Sequence, residues 1–186
     1  MHTPFRPSEQ VWATLKAMNE ASHRGQPFFF ILDFELQEGV FVLEPLQHHD
    51  GSLFFAFPTA KTPDPIGSKG KLTLTPLPEA PKRYAERFDI IHRGLMRGDS
   101  FLTNLTIRTP IETEASLADI YLSSEATYRV LLPGRFVSFS PECFVKLQGN
   151  ELATHPMKGT IDARIPDATE KLRADYKEGC EHHTIV

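Results

Sequence analysis

The sequence has few of the features that mark secreted, membrane-spanning or nucleic-acid-binding proteins. It contains only two cysteines, Cys143 and Cys180, among 186 residues, so a disulfide framework is excluded as the basis of the fold. Its longest apolar run, Pro27 to Leu32, is far shorter than the roughly 20 residues that a spanning helix needs. No basic stretch marks a surface for nucleic acid or an anionic membrane. We therefore expect neither a nucleic acid nor a membrane as a partner.

The N-terminal segment also lacks the basic region followed by an apolar one that a secretory signal would show. We therefore expect a cytoplasmic protein whose cysteines are reduced thiols. With 20 basic and 24 acidic side chains, a net charge of -4 and 40% hydrophobic residues, the composition is that of an ordinary globular protein. The length allows one sizeable hydrophobic core and does not require a second.

Hydrophobic periodicity predicts helices and strands without regular alternation between them. Apolar residues at helical spacing predict helices from Ser8 to about Gly25, over Lys82 to Arg97, over Leu117 to Ser123, and from about Asp167 to the end. Runs rich in Phe, Val and Ile predict strands at Phe28 to Asp33, Gly39 to Leu43, Leu53 to Phe57, Leu72 to Leu77, Phe101 to Arg108, Tyr128 to Leu132 and Phe136 to Phe139. The predicted fold class is α+β, with mainly antiparallel sheets and flanking helices.

A glycine-rich string from Gly67 to Lys71 has a superficial similarity to a phosphate-binding loop. It lacks the four-residue gap between glycines, and no Ser or Thr follows its final lysine. We therefore do not expect it to bind a nucleotide.

The densest candidate site runs from Ser138 to Thr160. Glu142 follows a predicted strand and turn, and Lys158 stands sixteen residues later, directly before Gly159. A hairpin from Cys143 to Gln148 and Glu151 to Thr154 is predicted between them, and it can return both residues to one edge of a sheet. A desolvated lysine there would favour the neutral amine, which can act as nucleophile or base. Spacing alone favours the alternative, a solvated surface lysine and a turn glutamate.

A second candidate site lies on the last predicted helix. Glu178, Glu181 and His182 fall at helical positions i, i+3 and i+4, so they share one face. Two carboxylates on one face suit a hard cation such as Mg2+. The alternative is a charged, solvated face of the helix.

Four segments over about ninety residues carry a resemblance to a known family. They are Gly98 to Arg108 (GDSFLTNLTIR), Ser138 to Phe144 (SFSPECF), Thr154 to Thr160 (THPMKGT) and Lys177 to Val186 (KEGCEHHTIV). In this order they resemble the chorismate-utilising enzymes, which include anthranilate synthase component I, isochorismate synthase and aminodeoxychorismate synthase component I.

Two positions favour one branch of that family. Lys158 stands where the aminodeoxychorismate synthases that this chain resembles carry lysine and anthranilate synthases usually carry alanine. Leu102 stands where isochorismate synthases carry a water-activating lysine, and leucine cannot deprotonate water. The resemblance thus implies that chorismate and ammonia give 4-amino-4-deoxychorismate, for para-aminobenzoate and folate biosynthesis. It also implies a separate glutamine amidotransferase as the partner that delivers ammonia, with anthranilate synthase component I as the alternative.

The resemblance also implies roles for individual residues. Lys158 would attack C2 of the chorismate ring, and Glu142 would be the general acid at the C4 hydroxyl. Gly159 and Thr160 would contact the substrate, and Glu181 would be a ligand of Mg2+. Catalysis requires a raised pKa for the Glu142 carboxyl and a lowered pKa for the Lys158 amine, although at close range the two could exchange a proton and become ionic.

The chain departs from the family pattern in ways that bear on activity. His155 replaces the usual arginine and Met157 the usual isoleucine, and the chain stops at Val186 inside a family motif. The resemblance therefore implies that residues 1–186 are the N-terminal portion of a single chorismate-binding domain, with little or no activity as a fragment alone. A second class of function is a non-catalytic domain that binds a partner chain.

Overall fold

The computed structural model describes residues 6–47, 49–100, 103–140, 143, 145–155, 160–176, 179–180 and 183. The chain divides into two compact units, residues 1–137 and 138–186. The helices are α1 (Glu9–His23), α2 (Pro81–Arg97), α3 (Leu117–Ser123) and α4 (Ala168–Arg173). The strands are β1 (Phe28–Leu32), β2 (Gly39–Leu43), β3 (Phe54–Phe57), β4 (Ala60–Lys61), β5 (Thr75–Pro76), β6 (Ile111–Glu112), β7 (Arg129–Leu132), β8 (Phe136–Phe139), β9 (Lys146–Gln148) and β10 (Glu151–Ala153). Because α1 and α3 pack on antiparallel strands, the predicted α+β class is confirmed.

Helix α1 begins at the predicted cap and packs on the first two strands. The Ser8 hydroxyl accepts a hydrogen bond from the Val11 N–H at 3.2 Å, which satisfies an amide that the helix leaves unpaired. Val11, Thr14 and Ala21 are buried, and the helix packs against β1 and β2. A Cβ at Gly39 of β2 would lie 2.7 Å from the Thr14 hydroxyl oxygen, so the close approach requires glycine.

Strands β1 and β2 form an antiparallel hairpin, as their sequence predicts. The register runs from Phe28 opposite Leu43 to Leu32 opposite Gly39. The Asp33 carboxylate accepts two backbone N–H groups of the turn, at 2.7 and 2.9 Å. This side chain therefore fixes the length of the turn and with it the register of the hairpin.

The larger sheet has four strands in the order β4-β3-β7-β8. Strand β3 pairs with β7 in antiparallel register, with Phe54 opposite Leu131 and Ala56 opposite Arg129. Successive side chains of a strand point to opposite faces. Phe55 therefore faces the β1–β2 hairpin, where its ring stacks on Phe29 with the centroids 5.5 Å apart. The phenylalanine-rich strands form a ring-filled core, as predicted.

The opposite face of this sheet is covered by α3. Tyr121 of α3 is fully buried against Ala56 and Leu131. The helix starts with a capping box, in which the side chains of Ser116 and Asp119 each accept a hydrogen bond from the other residue's backbone N–H. The short predicted helix is therefore confirmed, and it is stabilised by both its cap and its packing.

Side chains of α3 also accept hydrogen bonds from the backbone of the glycine-rich string, residues Gly67 to Lys71. The Asp119 carboxylate accepts the Ser68 N–H at 2.6 Å, and the Ser123 hydroxyl accepts the Gly70 N–H at 3.1 Å. These amides bond the protein's own side chains, so they are not presented to a phosphate.

Three predicted elements are wrong in extent. Residues 103–108 form no strand, although the sequence predicts a strand over Phe101 to Arg108. The strand predicted over Leu72 to Leu77 covers only Thr75–Pro76, which pairs with Ile111–Glu112. The last helix ends at Arg173 instead of running on, and helical backbone returns at Tyr176. Within the described ranges, no helix is both long and apolar enough to cross a membrane.

Candidate functional site

Most of the predicted site lies outside the described residues. Thr160 lies within them and is exposed. The structure does not describe Glu142, Lys158, Gly159 or Glu181, nor Leu102, Glu178 and His182. The roles assigned to these residues stay predictions, and the described geometry concerns the segments that lead into them.

The strand before Glu142 ends in an unusual backbone conformation. Strand β8 runs from Phe136 to Phe139 as predicted, and Ser140 then adopts a φ of 38°. This left-handed region is unfavourable for a residue with a Cβ and costs about 1–3 kcal/mol. Such strain concentrates at functional sites, and here it falls directly before the segment Pro141-Glu142.

A hairpin separates the two halves of the candidate site, as the sequence predicts. Strands β9 and β10 pair antiparallel with Lys146 opposite Ala153, and Gly149 in the turn has a φ of 60°. Because a hairpin reverses the chain, the segments before Lys146 and after Ala153 leave it at the same end. The paired side chains Leu147 and Leu152 are 70% and 66% exposed, so the hairpin buries neither of them.

A charged pair follows Thr160. The Arg164 guanidinium donates to both oxygens of the Asp162 carboxylate, with its Nε 3.0 and 3.1 Å from them. These hydrogen bonds lower the pKa of the Asp162 carboxyl, and the carboxylate in turn raises the pKa of Arg164. Sequence analysis did not identify this pair, although an acidic and a basic residue two positions apart are its signal.

Both cysteines are exposed, and short helical backbone flanks the predicted Mg2+ ligand position. The Cys143 and Cys180 side chains are solvent-accessible. Gly179 and Cys180 before that position and His183 after it have helical backbone, and the Gly179 N–H donates to the Asp175 carbonyl oxygen at 3.0 Å. Among the described side chains, no cluster of three His, Cys, Asp or Glu residues forms a metal site.

Comparison with known proteins identifies the family. The model of the chorismate binding enzyme family matches residues 44–186, which include all of the predicted site residues. The chain therefore belongs to the chorismate binding enzyme family, and the resemblance found in the sequence is confirmed. No solved structure matches the chain.

Curated relatives carry more than one functional name. An uncharacterized PabA-like protein of Pasteurella multocida is 37% identical over 184 residues, covering 94% of this chain and 54% of that protein. Anthranilate synthase component 1 of Streptomyces coelicolor is 33% identical over 68% of this chain and 27% of its own length. Aminodeoxychorismate synthase component 1 of Escherichia coli is 29% identical over 56% of this chain and 26% of its own length. The chain thus spans about half the length of the relative that it matches almost throughout.

Proposed function

We propose that this chain is the chorismate-binding part of an aminodeoxychorismate synthase component I. The reaction converts chorismate and ammonia into 4-amino-4-deoxychorismate, on the route to para-aminobenzoate and folate. The observation that carries the proposal is Lys158, which stands directly before Gly159-Thr160 inside the region that the family model matches. The alanine usual at this position in anthranilate synthases could not form a bond to the ring.

The chemistry of chorismate explains why the reaction needs both a nucleophile and an acid. The C4 hydroxyl is a poor leaving group, and it leaves as water once Glu142 has supplied a proton. As the C4–O bond breaks, the neutral amine of Lys158 forms a bond to C2. Ammonia then bonds to C4 as the C2–N bond breaks, so that Lys158 leaves as a neutral amine and C4 carries an ammonium group. Glu142 regains its proton from water.

The remaining groups would hold the dianionic substrate. The Glu181 carboxylate is a hard oxygen ligand that suits Mg2+, and a Mg2+ ion bound there would neutralise the ring carboxylate. The exposed hydroxyl of Thr160 is available to donate a hydrogen bond to the substrate, and Gly159 allows the substrate to approach the backbone closely. One carboxylate and part of a substrate cradle would bind weakly, so we expect little turnover by this chain alone.

The described backbone supports this assignment. The hairpin from Lys146 to Ala153 sends its two flanking segments out at one end, and these segments lead to Glu142 and Lys158. The strained Ser140 lies two residues before Glu142. These features fit a general acid and a nucleophile in one cleft.

One alternative is favoured by a particular observation. The relative named anthranilate synthase component 1 is 33% identical over 68% of this chain, against 29% over 56% for the aminodeoxychorismate synthase relative, so the product with nitrogen at C2 is the second candidate. We also propose a glutamine amidotransferase as the source of ammonia for the synthase.

The test is the effect of Lys158→Ala on covalent chemistry. The chain is combined with a second polypeptide, comprising the part of the Pasteurella multocida relative that this chain does not match, and supplied with chorismate, ammonium and Mg2+. Intact-mass spectrometry should detect an adduct of chorismate minus water on the wild-type chain, and product should accumulate. Lys158→Ala should abolish both, whereas the exposed control Lys146→Ala should retain both. Near-normal turnover by Lys158→Ala would remove the covalent role.

A further inference from the structure

An aromatic pocket opens at one end of the core between the β1–β2 hairpin and the four-stranded sheet. Its walls come from the start of β1, the segment that follows β2, and the strands β3 and β4, and its volume is about 250 Å³. Its lining includes four phenylalanines, Phe28, Phe29, Phe55 and Phe57. A cavity of about 150 Å³ lined by such side chains already holds a benzene ring, so this pocket has room for a small aromatic molecule.

The rings of the wall are packed on one another before any ligand binds. The Phe29 ring stacks on Phe55 with the centroids 5.5 Å apart and on Phe57 at 6.5 Å, and the Phe55 and Phe57 centroids are 4.9 Å apart. Aromatic rings favour offset or tilted neighbours at about these distances, so a further planar ring would extend the cluster. Because these rings are already ordered, binding costs little conformational entropy.

The rim of the pocket is held by the backbone and carries its polar groups. Glu44 adopts a φ of 49°, a left-handed conformation that is found at ligand-binding segments. Its N–H donates to the Pro27 carbonyl oxygen at 2.8 Å, and its carbonyl oxygen accepts the Gln47 N–H at 2.9 Å. Among the described residues that line the pocket, Glu44 alone is ionisable, and Gln47 supplies a neutral amide. The rim is therefore preformed and carries one negative charge.

We propose that this pocket binds a small planar aromatic molecule that is neutral or carries an amine. The apolar walls give water few hydrogen-bonding partners, so a ring that displaces water is favoured. The Glu44 carboxylate attracts an ammonium group and repels a carboxylate. The same charge disfavours the dianionic chorismate, and no predicted site residue lines the pocket. This binding site therefore goes beyond the proposed function and does not depend on it.

The test is titration of residues 1–186 with benzylamine, a single ring that carries an ammonium group. We expect saturable binding with a dissociation constant on the order of 1 mM, as for a ligand of so few atoms. In NMR spectra, the backbone amide signals of Phe28, Phe57 and Ala60 should shift. Benzoate presents a similar ring with the opposite charge and should bind about tenfold more weakly or less.

Matched variants distinguish the pocket from other surfaces. Ala60→Leu adds three carbon atoms to a side chain that lines the pocket, so it should weaken benzylamine binding by about tenfold or more. Ala13→Leu makes the same change at an exposed position of α1 and should bind like the wild type. Glu44→Gln keeps the shape of the side chain and removes its charge. Benzylamine and benzoate should then bind within about threefold of one another.

Several results would overturn the proposal. They are benzylamine shifts that do not saturate or that lie outside the pocket, equal binding of the two probes by the wild type, and unchanged binding by a folded Ala60→Leu variant. Urea midpoints show whether each variant is folded. If Ala60→Leu unfolds, Glu44→Gln decides, because a charge preference that persists in it contradicts the proposal. Since the titration contains no chorismate, ammonium or Mg2+, its failure leaves the proposed function untouched, and an inactive enzyme leaves the pocket untouched.

Discussion

Helices α1 and α2 have similar lengths, 15 and 17 residues, and both carry an apolar side, yet they differ in what covers that side. Helix α1 buries Val11, Thr14 and Ala21 and packs on the β1–β2 hairpin. Helix α2 buries none of its residues. The comparison teaches that periodicity identifies the apolar side of a helix but does not show whether that side is buried.

The strands show the same contrast. Strand β3 has neighbours on both sides and buries Phe55 and Ala56. The hairpin of β9 and β10 leaves Leu147 and Leu152 mostly exposed. One region is therefore a buried core, whereas the other leaves apolar side chains exposed.

The largest effect on the free energy of unfolding is expected from substitution of a leucine in the buried core. Leu131 is 1% exposed and Leu147 is 70% exposed, so the two form a matched pair. Leu131→Ala should lower the free energy of unfolding by about 2–5 kcal/mol, since it removes buried methyl groups and leaves a cavity. Leu147→Ala should change it by less than about 0.5 kcal/mol. Urea denaturation of both variants checks this, and equal losses would show that the hairpin is packed.

A smaller effect is expected at the start of α3. Hydrogen bonds from Ser116 and Ser68 lower the pKa of the Asp119 carboxyl. A lowered pKa in the folded state stabilises the protein above the unfolded-state pKa, and this contribution is lost as the pH falls through the folded-state pKa. Asp119→Asn should therefore be less stable than the wild type at neutral pH, with the difference shrinking in acid. Urea midpoints across this pH range test it, and a stability difference between the two proteins that does not shrink in acid would contradict it.

Substitution of Tyr121 is expected to change stability by less than substitution of Asp119, and in the opposite direction. Its hydroxyl is buried and makes no hydrogen bond to the described residues, and burial raises the pKa of the phenol. Tyr121→Phe should leave stability unchanged or raise it by up to about 1 kcal/mol. Because the neutral phenol is favoured in the folded state, the wild type should lose stability as the pH rises through the folded-state pKa. Alkaline denaturation curves should differ between the two proteins. A strongly destabilised Tyr121→Phe variant would contradict the interpretation that the buried hydroxyl makes no stabilising hydrogen bond.

The smallest effect is expected on α2 in the isolated chain. Phe88→Ala should change the free energy of unfolding by less than about 0.5 kcal/mol, because the half-exposed ring packs against no other helix or strand that the structure describes. Thermal and urea unfolding check this. A loss comparable to that of Leu131→Ala would mean that α2 is covered within the chain itself.

Local signals predicted much of the fold. The Ser8 cap and the helical spacing of the apolar residues from Val11 onwards predicted α1, and Gly98 predicted the end of α2. The pairing of strands was not predictable. Strand β3 does not pair with β2, which precedes it in the chain, but with β7, more than seventy residues away. Such pairing depends on which faces become buried together, and periodicity alone does not report this.

The sequence motifs of the candidate site could be recognised in advance, whereas its local geometry could not. The order of the segments around Glu142, Lys158 and Glu181 predicted the family, which the family match confirms. The left-handed backbone of Ser140 depends on local conformation, and no residue-type pattern revealed it beforehand. The spacing of Asp162 and Arg164 was a signal of their pairing, but the same spacing also fits two separately solvated side chains.

The most direct test of the central claim is the identity of the product. The chain is combined with the unmatched half of the Pasteurella multocida relative, complex formation is verified, and chorismate, ammonium and Mg2+ are added. NMR of the product should show nitrogen at C4 of the ring with the enolpyruvyl group retained, as in 4-amino-4-deoxychorismate. Formation of anthranilate, or of neither product by a verified complex, would contradict the account.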